Sequence, residues 1–384
     1  MSDHALLSPS AAHRWLNCTA AARLEMNVPD SGSDYAMEGT LAHCICARKL
    51  KEYLGKSAKA ERAEIDALRD RYYAGEMEEY TDEYVSAVVA TYETVKKKTP
   101  DCVLAVERRL DFAHYIPQSF GTADAIIAGD DILHVFDFKY GKGVPVSAKD
   151  NPQLKIYALG AIDELGFSFR TRDVVIHIIQ PRLSNNSDDY FTVDELQDWA
   201  RRTLIPKARE AYSYQGTTAP GEWCRFCRVK ASCRALKEYA DETMNQHTDA
   251  RLIDDETLAT DVLPRLDVIR SWLADIDAYA LERALGGHTL PGYKIVEGRS
   301  NRKITDPVGV ETALSKAGYA ASDYLRPREL KSITDLEKLT GKKLFAETCG
   351  AFIEKPTGKP TLVPVTDKRP VFSSAASDFK DFVE

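Results

Sequence analysis

Residues Ile132 to Phe138 read ILHVFDF. The run is apolar apart from His134 and Asp137, the composition of a strand buried on both faces. A carboxylate in such a strand is expensive to bury unless a cation or a metal ion compensates it. Upstream, Gly129-Asp130-Asp131 supplies a turn, and the apolar segment before it, residues 121–128, carries Asp124. Side chains alternate along a strand, so Asp137 and Lys139 point to the same side. Two adjacent antiparallel strands then deliver two carboxylates and one ammonium to a common point. Carboxylates with spare oxygens bind Mg²⁺ or Mn²⁺. An ammonium beside them can hold or activate a water for attack on phosphorus. Glu107, between Val106 and Arg108 on the preceding apolar segment, is an additional acid for the same point. Gln153 and Tyr157 lie four residues apart, which places them on one helix face.

Around this centre the pattern predicts strands over 103–112, 121–128, 132–139 and 173–180, with a helix over 151–164. Helices are predicted over 11–26 (after a Ser8-Pro9-Ser10 cap), 41–54 starting at Thr40, 82–97 and 192–212, with a loop over 32–35. The 82–97 helix is read from apolar residues at helical spacing, Tyr84, Val85, Val88, Val89, Tyr92 and Val95. The fold class is α/β, a central mixed sheet flanked by helices. The character of the chain changes near residue 245, giving domains 1–245 and 246–384, the second of α+β type. In the second, an amphipathic helix over 258–285 is closed by Gly286-Gly287. A strand at 291–297, a basic loop at 298–304, helices at 306–317 and 334–339, and a hairpin over 352–365 turning at Thr357-Gly358 follow. The acidic tail, 373–384, is expected to be disordered.

The chain has 384 residues, is 44% hydrophobic and carries a net charge of −8. No run of about 18 apolar residues is present, so no membrane span is expected. The N-terminus lacks a basic stretch followed by an apolar core, so no signal peptide is expected. These features imply a soluble cytoplasmic protein. The negative charge does not favour nucleic-acid binding, but Lys139, Lys142, Lys149 and Lys155 stand against a single acid, Asp150, in their interval. No G-x-x-x-x-G-K-[ST] motif occurs, so a P-loop motor is excluded from this chain. No helix-turn-helix or zinc-finger signature offers base readout.

Of eight cysteines, Cys224, Cys227 and Cys233 are closely spaced in GEWCRFCRVKASCRAL. In a cytoplasmic protein this is a metal-binding pattern rather than a disulfide framework. A four-thiolate zinc site and an iron–sulfur cluster both fit, and spacing alone does not separate them. Cys44, Cys46, Cys102 and Cys349 are read as small buried hydrophobes.

Four motifs, in order, resemble the PD-(D/E)XK nuclease superfamily in its RecB-like branch. Gly39-Thr40-Leu41-Ala42-His43 is similar to its G-T-x-x-H motif, and Gly121-Thr122-Ala123-Asp124 to G-x-x-D. Asp137-Phe138-Lys139 is similar to D-x-K, and Gln153 to Tyr157 to Q-x-x-x-Y. The resemblance covers roughly residues 1–240. It implies a metal-dependent DNA exonuclease using Mg²⁺ or Mn²⁺. His43, Asp124, Asp137 and the Phe138 carbonyl would ligate the metal, and Lys139 would position the attacking water. Gln153 and Tyr157 would contact a DNA phosphate or hold the lysine. It also implies a [4Fe-4S] cluster on Cys18, Cys224, Cys227 and Cys233, clipping the ends of the nuclease domain together, with structural Zn²⁺ as the alternative and Cys44 or Cys46 as substitutes for Cys18. Its expected partners are single-stranded DNA or duplex ends, with any helicase or recombination protein on a separate polypeptide. The expected setting is phage or mobile-element recombination and repair in a bacterial cell. The competing expectations are a non-catalytic binding module on the same fold and a structure-specific endonuclease.

Overall fold

The computed structural model describes residues 5–28, 34–73, 75–246, 253–297, 303–326, 329–330, 332–354, 360–364 and 370–372. Its central sheet has five strands: β1 (Val103–Asp111), β2 (Phe120–Gly129), β3 (Ile132–Phe138), β4 (Asp173–Gln180) and β5 (Asn185–Thr192), in that spatial order. β1, β2 and β3 form an antiparallel meander, β3 and β4 run parallel, and β5 returns antiparallel to β4. Asp130-Asp131 makes the β2–β3 turn, with Asp131 in the left-handed region at φ +67°. The parallel β3–β4 pair requires a crossover, supplied by a helix over Pro152–Phe169. That helix starts where the Asn151 side chain accepts from the Gln153 and Leu154 amides, with Pro152 in the first turn.

The helices up to residue 246 are α1 (Ala12–Asn17), α2 (Ala21–Glu25), α3 (Asp34–Tyr53), α4 (Lys59–Tyr72), α5 (Met77–Lys98), α6 (Pro152–Phe169), α7 (Val193–Trp199), α8 (Ile205–Tyr212) and α9 (Arg234–Gln246). One sheet face packs Leu133, Val135, Ile176 and Ile178 against Leu154, Ala158 and Ala161 of α6 and against Trp15 of α1. The other packs Ile127, Phe136 and Phe138 against Leu41 and Ile45 of α3 and Tyr84 and Val88 of α5. Each buried Leu, Ile, Val or Phe among these stabilises the fold by roughly 1.5–3 kcal/mol. On the first face, a Cβ at Gly160 would lie 2.5 Å from the Phe112 ring, so only glycine lets α6 lie this close.

The mixed sheet with helices on both faces agrees with the sequence reading, and several local expectations are corrected. The second helix begins at Asp34, not Thr40, so His43 lies inside α3 rather than in its first turn. Asp34 and Tyr35, expected in a loop, belong to this helix; residues 32 and 33 lie outside the described set. The first helix is broken between Asn17 and Ala21, and Ser8 makes no side-chain cap. β5 is an unpredicted edge strand: Asn185 to Asp189 are polar, so no apolar alternation announces it, and backbone pairing with β4 makes it. The 192–212 helix begins at the Thr192–Glu195 capping box, as expected, but passes through a wide turn at Ala200–Leu204.

The chain forms two compact units, Met1–Trp272 and Leu273–Glu384. In the second, Val310, Leu314, Leu336, Phe345 and Cys349 form a core among the helices Pro307–Lys316, Ile333–Thr340 and Lys342–Cys349. The expected 352–365 hairpin does not form. Ile353–Glu354 pairs with Lys303–Ile304, and Pro360–Pro364 pairs with Tyr293–Glu297. The predicted turn at Thr357-Gly358, most of the basic loop and the 373–384 tail lie outside the described residues.

In the sheet, His134 Nδ1 lies 3.0 Å from His177 Nε2, and the His177 ring stacks on Phe136 at 4.2 Å. Burial pushes His134 down to about 4, and burial, then His134, pushes His177 down to about 3. As pH falls below about 6.5 the unfolded chain takes up protons that the folded chain refuses, so stability present at neutral pH is lost on acidification. The expected loss is about 2–4 kcal/mol at pH 4.5 relative to pH 7. Urea denaturation at both pH values should show it, with a smaller loss in His177→Gln. An equal loss in wild type and variant would refute the assignment.

Candidate active site

The predicted residues meet at one end of β3. Asp137 and Lys139 point toward α6, where Gln153 bridges them. The Lys139 ammonium donates to Gln153 Oε1 at 3.1 Å, and Gln153 Nε2 donates to Asp137 Oδ1 at 2.9 Å. The same Nε2 lies 3.4 Å from the Tyr157 hydroxyl. Lys139 Nζ is also 2.9 Å from Asp137 Oδ2, so the ammonium and the carboxylate form a buried ion pair. Burial disfavours charge on the ammonium, but the Asp137 carboxylate outweighs it and raises the Lys139 pKa. Burial in turn raises Asp137.

Asp124 connects this group to α3. Its Oδ2 accepts from the Phe138 amide at 2.7 Å, and its Oδ1 lies 3.3 Å from His43 Nδ1. Against burial, Asp124 raises the His43 pKa to about 9. Burial also opposes charge on Asp124, but His43 and the Phe138 amide hold its pKa below the usual value.

Glu107 completes the cluster through a backbone irregularity. It lies opposite Asp124, and the β1–β2 ladder skips this pair. Glu107 has φ +50°, uncommon for a non-glycine residue and costly inside a strand. Leu104 packs on the α3–α5 face, whereas Leu110, of the same parity, packs on the α6 face. Ala123 and Ala125 are likewise on opposite faces. Alternation therefore slips at Glu107 and Asp124, the point where both acids leave the two cores. Among the described residues, His43, Glu107 and Asp124 are the trio of potential ligands whose atoms all lie within 4.8 Å of one another. Burial, then the Asp124 charge, pushes Glu107 up to about 7. Asp137 stands beside this trio, engaged with Lys139 and Gln153.

Lys142 and Lys149 are exposed. Lys155 is not part of a basic surface: it is buried, paired with Asp150 at 2.6 Å and set over the Phe191 and Trp199 rings.

A family model described as "Protein of unknown function (DUF2800)" matches residues 4–370. The chain belongs to the DUF2800 family. A solved structure titled "Crystal structure of SSO0001" is 17% identical, covers 51% of this chain and 85% of its own, and superposes with a TM-score of 0.22, too low to carry an argument. No helix among the described residues of the DUF2800 chain is long and apolar enough to cross a membrane.

The DUF2800 chain also gathers its distant cysteines. Cys18, Cys224, Cys227 and Cys233 line one small cavity with Lys230 and Leu236. Their sulfurs are not drawn together as tightly as the His43 trio. Cys18 follows α1 at the break before α2. Cys46, Cys102 and Cys349 are buried and Cys44 is half-buried.

A polar clasp that the sequence did not reveal surrounds this cavity. The buried Glu25 carboxylate lies 3.0 Å from Arg14 and accepts from the Arg228 amide at 2.7 Å. Arg14 also donates to the Phe226 carbonyl at 3.1 Å, and Arg228 to the Val28 carbonyl at 2.9 Å. The Thr19 hydroxyl donates to Glu210 at 2.6 Å and accepts from the Thr217 amide at 2.8 Å. A Cβ at Gly216 would lie 2.6 Å from the Thr19 backbone, so a side chain there would force the clasp apart.

Proposed function

We propose that this chain is a metal-dependent deoxyribonuclease of the PD-(D/E)XK, RecB-like kind, acting from DNA ends. The observation that carries this reading is the convergence of His43, Glu107 and Asp124 to within 4.8 Å, beside the Asp137–Lys139–Gln153 group. The donors are those of a hard divalent cation, carboxylate oxygens with one imidazole. His43, Glu107 and Asp124 would hold Mg²⁺ or Mn²⁺, with Asp137 Oδ2 and the Phe138 carbonyl as further donors. A cation bound there polarises a phosphate and lowers the pKa of a water. His43 must first lose the proton it shares with Asp124, because only neutral imidazole ligates. Asp137 and Gln153 hold the Lys139 ammonium, which orients the attacking water and offsets charge building on the phosphate. Tyr157 supports Gln153 through its hydroxyl.

The substrate proposed is single-stranded DNA or a duplex end, in recombination or repair in a phage or mobile-element setting, with any helicase supplied by another polypeptide. The test is incubation of purified protein with end-labelled linear and with circular DNA, single- and double-stranded, with Mn²⁺ or Mg²⁺. Degradation of linear DNA alone supports the proposal. Nicking of circles would make the protein an endonuclease, and binding without cleavage would make it a binding module.

The cysteine cavity supports a second part of the proposal, a structural [4Fe-4S] cluster held by Cys18, Cys224, Cys227 and Cys233. A tetrahedral zinc ion on the same four sulfurs, with Zn–S of about 2.3 Å, is the alternative. Protein purified without oxygen is expected to be brown and to contain iron and sulfide. Cys227→Ser should lose both and be less stable. A colourless protein with one zinc per chain would replace the cluster with the alternative metal.

A further inference from the structure

Arg109 on β1 is exposed, and its guanidinium carbon lies over the Phe120 ring of β2, 4.0 Å from the centroid. The two are diagonal neighbours in the β1–β2 ladder, where Arg109 pairs with Thr122 and Asp111 with Phe120. The preceding residue, Arg108, is ion-paired to Glu164 of α6. Side chains alternate, so Arg109, Phe120 and the exposed Thr122 share the opposite side of the sheet, the side on which α3 packs. This shelf begins two residues beyond Glu107 and Asp124, roughly 7 Å along the strands. Arg48, Arg108 and Arg182 are each tied to a carboxylate. Among the described residues no carboxylate lies within ion-pair distance of Arg109. The nearby Asp111 carboxylate instead accepts from the Ala113 amide at 2.7 Å. Covering the half-buried Phe120 ring explains the stem of Arg109 and not its charge. In a chain with 59 acidic and 51 basic residues, an arginine without an acid beside an acidic centre is placed to meet an anion.

We propose that Arg109 is a substrate-binding residue whose guanidinium, steadied by Phe120, holds the DNA backbone phosphate next to the one that is attacked. This rests on the nuclease reading above. Contact with a ring uses none of the guanidinium N–H donors, which stay available for a phosphate. Arginine pairs with phosphate by two parallel hydrogen bonds, and a side chain already held over a ring loses less freedom in forming them. Successive phosphates of an extended strand are separated by about the length of two strand residues. A strand with one phosphate at the acidic centre therefore reaches Arg109 with the next. A contact of this kind sets the register of the strand and reads no base.

Arg108 provides a matched control, adjacent in sequence, also exposed and directed to α6. The probe is end-labelled oligothymidylate, which does not pair with itself. Its cleavage with Mn²⁺ should be measured over a series of salt concentrations for the wild type, Arg109→Gln, Arg109→Lys and Arg108→Gln, with thermal unfolding recorded for each. Both arginines are exposed, so all variants should fold. The expected result is KM raised about 10-fold in Arg109→Gln with kcat little changed, as for a contact made equally before and during reaction. The fall of log kcat/KM with log salt should become shallower by about 0.7 in Arg109→Gln, the share of one phosphate on a single strand. Arg109→Lys, which keeps the charge, and Arg108→Gln should retain the wild-type slope. Wild-type KM and slope in Arg109→Gln, or the same change in Arg108→Gln, would overturn the role of Arg109 while leaving the nuclease reading intact. A lowered unfolding temperature with an unchanged slope would make its contact with Phe120 structural and overturn the role as well. Wild-type protein that cleaves no oligonucleotide would instead overturn the nuclease reading, and the role of Arg109 with it.

Discussion

Asp137→Asn is expected to lower DNA cleavage by about 10²-fold or more while the protein stays folded. Asparagine keeps the shape of the side chain, and its Oδ1 can still accept from Gln153 Nε2, the 2.9 Å bond seen for the carboxylate. What disappears is the charge at Oδ2, which pairs with Lys139 at 2.9 Å. Removing it takes away the anion that holds the Lys139 ammonium in place and, on the proposed function, a donor to the metal. Folding should tolerate the change, because burial already disfavours this charge. Lys139→Ala should be comparably inactive. Circular dichroism and initial cleavage rates on linear DNA check both variants. Near-normal activity in soluble, folded Asp137→Asn protein would remove Asp137 from the catalytic group.

Glu25→Ala is expected to destabilise the Met1–Trp272 unit by about 3–5 kcal/mol, the usual cost of leaving a buried charge without its partner. The carboxylate is 4% exposed and the Arg14 guanidinium 19%, so solvent does little to screen the pair. Its loss also strands the Arg228 amide, which donates to Glu25 at 2.7 Å. These bonds join α2 to the segment bearing Cys227, so the same substitution loosens the wall of the cysteine cavity. Urea denaturation would measure the effect. The double variant Arg14→Met with Glu25→Ala should recover part of it, because no uncompensated charge then remains. A shift of less than about 1 kcal/mol for Glu25→Ala would mean that the cysteine segment is held by other contacts.

Much of the sheet could be read from the chain because its middle strands, β2, β3 and β4, are largely apolar on both faces. β3 and β4 fall where the apolar runs place them, with Asp137 the conspicuous exception inside one. β5 could not be read, since Asn185 to Asp189 carry no apolar signal and are held by backbone pairing and polar side-chain bonds. The true start of α3 was hidden because Gly39-Thr40 resembles a helix beginning, while the helix runs through both from Asp34. Within the site, Asp124, Asp137, Lys139, Gln153 and Tyr157 meet as their spacing suggested, and His43 joins Asp124 as the resemblance implied. Glu107 was legible as an additional acid for the same point, but not the way it reaches it. Its place depends on a left-handed backbone conformation that no residue type there announces. Glu25 and Arg14 gave no signal, because their partners lie near Arg228, far along the chain.

The central claim is that His43, Glu107, Asp124, Asp137 and Lys139 form one metal-dependent phosphodiesterase centre. The direct measurement is release of label from 5′- and 3′-labelled linear DNA by metal-stripped protein, before and after addition of Mn²⁺ or Mg²⁺. The account predicts no release without metal, release on addition of either ion, and its arrest by chelator. Cleavage indifferent to the chelator, or no cleavage of any DNA form by protein that demonstrably binds Mn²⁺, would contradict it.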